Sequence, residues 1–155
     1  MNLLTFPKPL ARLVANMPSW PASRAFALAA NLVAWPALRS LDWTHIAGRR
    51  FCVEVSDFGL KLHFSLHANG FRAVSHGPDD VTFTATAADF ARLALRLEDP
   101  DTLFFNRRLR IEGDTDLGLT VKNMLDAVEL ETAAASMPAG FGRVVLRLRR
   151  LAGQG

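Results

Sequence analysis

The stretch that most constrains this chain runs from Asp99 to Glu131, DPDTLFFNRRLRIEGDTDLGLTVKNMLDAVELE, because its hydrophobic period changes midway. An aromatic-rich segment (Leu103, Phe104, Phe105) comes first. Leu109 and Ile111 then alternate with Arg108, Arg110 and Glu112, the two-residue period of a half-buried strand. Gly113 breaks that run, and Asp114-Thr115-Asp116 supplies a helix cap and an acidic first turn that suits the helix dipole. Beyond it Leu117, Val121, Met124, Leu125 and Val128 recur at helical spacing. A strand that turns directly into an amphipathic helix needs one core to serve both. That requirement points to an α+β domain with helices packed on a sheet.

The same alternation recurs upstream. Phe51, Val53 and Val55 alternate with Cys52, Glu54 and Ser56, and Leu60, Leu62, Phe64 and Leu66 with Lys61, His63, Ser65 and His67. Asn69-Gly70 is a hairpin signal, and Phe71 to Ser75 reads as the returning strand. Val81, Phe83 and Ala85 form another run after the loop His76 to Asp80. Consecutive strands joined by short turns predict a largely antiparallel sheet of about five strands with one solvated face. Thr86 and Asp89 resemble a capping box, opening a helix with Phe90, Leu93, Ala94 and Leu97 on one face that closes before Pro100.

The N-terminal part is apolar and broken by prolines. Lys8 to Met17 predicts a short helix with Leu10, Leu13, Val14 and Met17 on one face. A second helix is expected from about Ser23 to Leu41, kinked or ended at Pro36. Its longest uncharged run, residues 25–38, is shorter than the roughly 20 residues of a membrane span, and it lacks the form of a secretory signal. After Glu131 an Ala/Ser linker leads to a basic amphipathic segment with Phe141, Val144, Val145, Leu148 and Leu151 opposite Arg143, Arg147 and Arg150. The expected organisation is therefore an apolar helical segment at 1–44, a sheet-and-helix body at 45–131 and a C-terminal helix at 138–152.

Half of the 155 residues are hydrophobic, with 11 Phe and no Tyr, which suits a core or an apolar cavity without polar handles. Charge is uneven along the chain. Residues 1–50 carry six basic and one acidic side chain, residues 140–155 four arginines and no acid, and the middle eight basic against fourteen acidic. Basic, apolar ends around an acidic body suit contact with an anionic membrane surface through Trp20, Trp35, Arg147, Arg149 and Arg150. The arginines are interleaved with aliphatics, so nucleic acid is not the expected target.

Catalytic signals are missing. No nucleophile elbow, phosphate loop or dinucleotide fingerprint occurs. The acids Asp99, Asp101, Glu112, Asp114 and Asp116 are explained by turns and helix ends. His63 and His67 sit four apart on a strand, about 13 Å from each other, so one ion cannot bridge them. They are expected as solvated sheet-face residues, with neither a metal site nor a cofactor. The single Cys52 allows no internal disulfide. What remains is an apolar excess: Phe51, Leu62, Phe64, Phe83, Phe90, Leu93, Phe104, Phe105, Leu109 and Met124 converge either on an ordinary core or on a lipid-sized cavity.

A strand ending in RIEGD, an apolar helix LGLTVKNMLDAVE and a preceding antiparallel sheet together resemble the sterol carrier protein 2 family. The longer string from Asp99 to Glu131 is similar to the branch of that family serving oxygen-independent ubiquinone biosynthesis in bacteria. The resemblance covers about residues 45–131. It implies a sheet covered by helices around an apolar tunnel, no catalysis, and binding of isoprenoid quinone precursors or phospholipids. It also implies action beside iron-sulfur hydroxylase partners of the collagenase-like peptidase family. On pattern, the lipid-contacting residues are Val53, Leu62, Phe64, Phe83, Phe90, Leu93, Phe104, Phe105, Leu109, Leu117, Val121, Met124, Leu125 and Val128. The chain ends Ala-Gly-Gln-Gly rather than in a peroxisomal signal. A structural module with a solid core and partner-docking ends is the alternative.

Overall fold

Each alternating run forms a strand: β1 (Arg50–Val55), β2 (Leu60–His67), β3 (Gly70–Ala73), β4 (Val81–Ala85) and β5 (Arg110–Gly113). A computed structural model describes residues 8–138 and 140–154, without the side chains at 8, 10, 11 and 14. The expected apolar face of Leu10 and Val14 lies outside the described residues. The strands make one sheet in the order β3-β2-β1-β4-β5. Three pairings are antiparallel. The fourth, β1 with β4, is parallel, setting Phe51 opposite Val81 and Val53 opposite Phe83.

That parallel seam dictates the connection from β3 to β4. The chain leaves β3 at one sheet edge and must pass β2 and β1 to reach the far side of β1. Residues 74–80 make this crossing on the polar face. Arg50 fastens them there, its Nε donating to the Pro78 carbonyl at 3.0 Å and its guanidinium to that of Ser75 at 2.6 Å. Its backbone N–H bonds the Asp80 carboxylate at 2.7 Å. The covered polar face corrects the expectation of solvated histidines. His63 is 2% exposed and its Nδ1 lies 2.9 Å from Asp79 Oδ2. His67 is half-buried and bonds the Ser65 hydroxyl at 2.9 Å.

The other face carries Phe51, Phe64, Leu66, Val81 and Ile111 into the core. Helices α1 (Lys8–Ala15), α2 (Ser19–Val33) and α3 (Trp35–Leu38) precede the sheet. The second begins four residues before the expected start and breaks at Ala34, two residues ahead of Pro36. It packs on β2 and β3. There Asn31 acts as a side-chain rung on the edge strand, donating to the Phe71 carbonyl at 2.8 Å and accepting its N–H at 2.7 Å. The Ser23 hydroxyl likewise accepts the His63 backbone N–H at 2.9 Å.

After β4, the Thr86 hydroxyl caps α4 (Ala87–Ala94) at the Asp89 N–H. The aromatic segment is itself a short helix, α5 (Pro100–Phe105), capped by Asp99. Gly113 ends β5 at φ +92°, where a Cβ would come within 2.4 Å of the Asp80 carbonyl, so only glycine fits this exit. Asp114 then caps α6 (Thr115–Asp126) through the Leu117 N–H at 3.1 Å. The expected Ala/Ser linker is instead a helix, α7 (Leu130–Ser136), because alanine favours helix and Leu130 and Ala134 are buried. Helix α8 (Phe141–Ala152) follows and packs on α7.

Two ties hold the helical layer down. Gly118 lets α6 approach the sheet, since a Cβ there would meet Ile111 Cγ2 at 2.4 Å and Val81 Cγ1 at 3.2 Å. Behind α4, Asp89 accepts from Arg92 at 3.1 Å and also bonds Arg108, which reaches both oxygens of Glu98 at 2.8 Å. Burial pushes the Asp89 carboxyl up, but its bonds to Arg108, Thr86 and Arg92 prevail and hold it below the usual carboxylate range. Arg108 holds Glu98 down in the same way.

Gly118→Ala should destabilise the protein by about 1–3 kcal/mol in urea unfolding, overpacking outweighing the gain in helix propensity. Because the folded carboxyls of Asp89 and Glu98 titrate below their unfolded values, their contribution is complete above about pH 4–5 and disappears as pH falls through the folded values. Stability followed across an acid series should therefore decline in that window. An Arg108→Leu variant should show a shallower decline.

Candidate functional site

Between the apolar sheet face and the helices lies a cavity of about 710 Å³. Its floor is made by inward residues of four strands: Phe51, Val53 and Val55, then Leu62, Phe64 and Leu66, with Phe71 and Phe83 beside them. One wall is α2 and α3, which present Phe26, Ala29, Ala30, Val33, Ala34 and Leu38. Four of these six are alanine or valine, too short to reach the sheet, and this is how the space stays open. The opposite wall comes from α4 and α6 through Phe90, Leu93, Val121 and Leu125. Val128, Leu130 and Ala133 carry the lining into α7, and Val145 adds a contribution from α8.

Among the described residues, charge touches this space only through Arg96, Lys122 and Asp126. Arg96 adopts φ +54° just after α4, which turns its guanidinium onto the end of α6. It bonds the carbonyls of Leu125 and, at 2.7 Å, Val128, and pairs with Asp126 at 3.4 Å. A cation at a helix C-terminus answers both the unpaired carbonyls and the dipole. Lys122, one turn before Asp126, is buried along its stem and pairs with Asp101 at 2.5 Å. The cavity is thus apolar along its length with a charged end, a shape and chemistry suited to a long apolar molecule with one polar head.

Ten of the fourteen residues expected to contact lipid do line it: Val53, Leu62, Phe64, Phe83, Phe90, Leu93, Leu109, Val121, Leu125 and Val128. Four do not. Leu117 is buried in the core under the first turn of α6, and Phe104 and Met124 pack against that core from outside the cavity. Phe105 is 79% exposed, because the six-residue α5 turns consecutive side chains to different sides. The α2–α3 wall and the α7–α8 contribution lay outside the pattern-based set. The alanines at 29, 30, 34 and 37 were the signal that this helix face leaves space above the sheet.

The residues expected at a membrane or partner also divide. Trp20 is exposed. Trp35 turns inward, its ring 5.9 Å from that of Trp43 and edge-on to Phe71 at 6.1 Å, so it belongs to the core. On α8, Arg147 and Arg150 are exposed, whereas Arg149 folds back onto Glu131 at 2.5 Å. Gly142, Val145 and Leu146 face the body, leaving Phe141, Val144, Leu148 and Leu151 as an exposed apolar stripe flanked by Arg143, Arg147 and Arg150. No described helix is long and apolar enough to cross a membrane.

Known proteins agree with this architecture. The model of the SCP-2 sterol transfer family matches residues 42–126, from the loop before β1 to the end of α6. Over 104 residues the chain is 46% identical to the ubiquinone biosynthesis accessory factor UbiT of Escherichia coli strain K12. That alignment covers 66% of this chain and 57% of the relative, so the chain matches little more than half of the curated protein's length. The same identity holds for the UbiT of Escherichia coli O157:H7. Among solved structures, the UbiJ-SCP2 ubiquinone synthesis protein superposes with a TM-score of 0.54 at 21% identity, covering 70% of this chain and 96% of its own, a likeness of fold. With the family model spanning more than half its length and the matching sheet-and-helix fold around an apolar cavity, the chain belongs to the SCP-2 sterol transfer family.

Proposed function

We propose that this protein is a lipid-binding accessory factor of ubiquinone biosynthesis, without catalysis of its own. It holds a prenylated quinone precursor or a phospholipid and presents it to the enzymes that modify the ring. The observation that carries this reading is the 710 Å³ cavity, whose charged residues among those described, Arg96, Lys122 and Asp126, cluster around α6. An ordinary solid core would leave no such space. Burying an isoprenoid tail is worth about 0.8 kcal/mol per methylene, so a few isoprene units are enough for capture. The Arg96 and Lys122 end meets the polar head, and the apolar length between α2 and the sheet takes the tail. The similarity to UbiT supports the pathway, and the resemblance noted from the sequence supports an oxygen-independent branch with iron-sulfur hydroxylases of the collagenase-like peptidase family as partners.

The ligand lives in membranes, and α8 provides the means of reaching one. Its exposed Phe141, Val144, Leu148 and Leu151 match the apolar face of an interfacial helix, and Arg143, Arg147 and Arg150 match anionic headgroups. The protein accordingly works as a peripheral visitor to the cytoplasmic leaflet.

Lipid extraction and native mass spectrometry of the purified protein should recover a bound isoprenoid or phospholipid. Ala30→Trp, which fills the cavity from the α2 wall, should keep the fold and lower ligand retention at least about tenfold. Recovery of no lipid, together with no response to added quinone, would sink the reading. In liposome flotation, replacing Arg143, Arg147 and Arg150 with glutamine should weaken binding to anionic vesicles about 100-fold, at about 1 kcal/mol per arginine, and leave cavity retention unchanged.

A further inference from the structure

The polar face of the sheet holds a second cluster, separated from the cavity by the sheet itself. Cys52 of β1 and His63 of β2 are direct cross-strand partners, and the crossing loop carries Asp79 over them. One donor atom from each of the three lies within 4.8 Å of the others. Cys52 and His63 are each 2% exposed, and the Asp79 side chain is 10% exposed. His63 Nε2 and Asp79 Oδ1 are both buried without a hydrogen-bond partner. His76, on the same loop, stands edge-to-face with His63 at 5.3 Å between ring centres and is exposed.

A peg that fastens the crossing loop explains the bond between Nδ1 and Oδ2. It does not explain Asp79 Oδ1, a buried oxygen left without a hydrogen bond, at a cost of about 1–3 kcal/mol. A Cys-His-Asp nucleophile fails on electrostatics. Burial, reinforced by the negative charge of Asp79, pushes the Cys52 thiol up to about 11, whereas a reactive thiolate needs neighbouring positive charge. Arg50 stands 3.8 Å from Asp79 Oδ1, an ion pair beyond hydrogen-bond distance that leaves the thiol and the imidazole without a bridging cation. A divalent metal would take the thiolate, the imidazole and the carboxylate together, and sulfur with nitrogen and oxygen is a zinc-type donor set. Tetrahedral zinc places its donors roughly 3.4–3.7 Å apart, so the 2.9 Å Nδ1–Oδ2 pair opens slightly while the thiol draws in from within 4.8 Å.

We propose that Cys52, His63 and Asp79 form a binding site for a single zinc-type divalent metal ion, with His76 closing the fourth position. The ion staples the crossing loop to β1 and β2. It stands independently of lipid binding, since its ligands face away from the cavity.

The test uses the full chain after chelator treatment. Titration with cobalt(II) as a spectroscopic probe should saturate at one equivalent with a near-ultraviolet thiolate-to-metal charge-transfer band, bleached by zinc(II). Cys52→Ala should remove the band and weaken zinc binding about 100-fold or more, and Asp79→Asn should weaken it about tenfold or more, with circular dichroism confirming the fold. No thiolate band in the unaltered protein, or zinc affinity unchanged in Cys52→Ala, would overturn the site. If Cys52→Ala does not fold, the spectrum of the unaltered protein decides alone. Lipid retention is read separately and does not bear on this result.

Discussion

The parallel pairing of β1 with β4 is the constraint from which the rest of the molecule follows. Strands that simply meandered would leave both faces of the sheet free. Because β4 must lie on the far side of β1, residues 74–80 have to cross the sheet, and a polar loop crosses most cheaply where Arg50, His63 and Asp79 satisfy its groups. One face is thereby closed by the chain itself. The other face, bearing Phe51, Phe64 and Phe83, is left entirely to the helices.

Those helices cover the sheet without filling the space above it. Held close at Gly118, α6 presses on Ile111 and Val81 at the β4–β5 side. On the opposite wall, α2 packs on β2 and β3, and the short alanine side chains of α2 and α3 leave the space open. An empty apolar space forfeits dispersion contacts along its whole lining, so it is costly unless something occupies it. Close approach at Gly118 and short side chains on α2 and α3 together give a container with a firm base. Arg96 ties the closing turn of α4 to the end of α6, so the charged end is coupled to both helices of that wall.

Much of this was legible in the residues. Period-two runs located four strands and the Asn69-Gly70 turn the fifth, Gly113 and Asp114 marked the turn into α6, and the apolar stripe on that helix named Val121, Leu125 and Val128 as wall. Pattern failed where neighbours, not the local run, decide orientation. Leu117 and Met124 belong to the same stripe but pack beside the cavity rather than lining it, and Phe105 is turned outward by a helix too short to have a face. His63 and His67 share one strand face, yet a loop arriving from beyond β3 buries the first and only half covers the second. The parallel seam could not be read from spacing, since strand order is a long-range property. Nor could the placement of Cys52 beside Asp79, which depends on that crossing.

The double bond from Asn31 to Phe71 reaches further than its two hydrogen bonds. β3 is a sheet edge, and unpaired edge strands invite other chains to extend the sheet. Here the amide of a helix distant in sequence occupies the position a foreign strand would take. The N-terminal helices are thus a guard against self-association as well as a wall. A fragment beginning at residue 45 would retain all five strands and still expose an adhesive border, trading a walled pocket for a surface primed to polymerise.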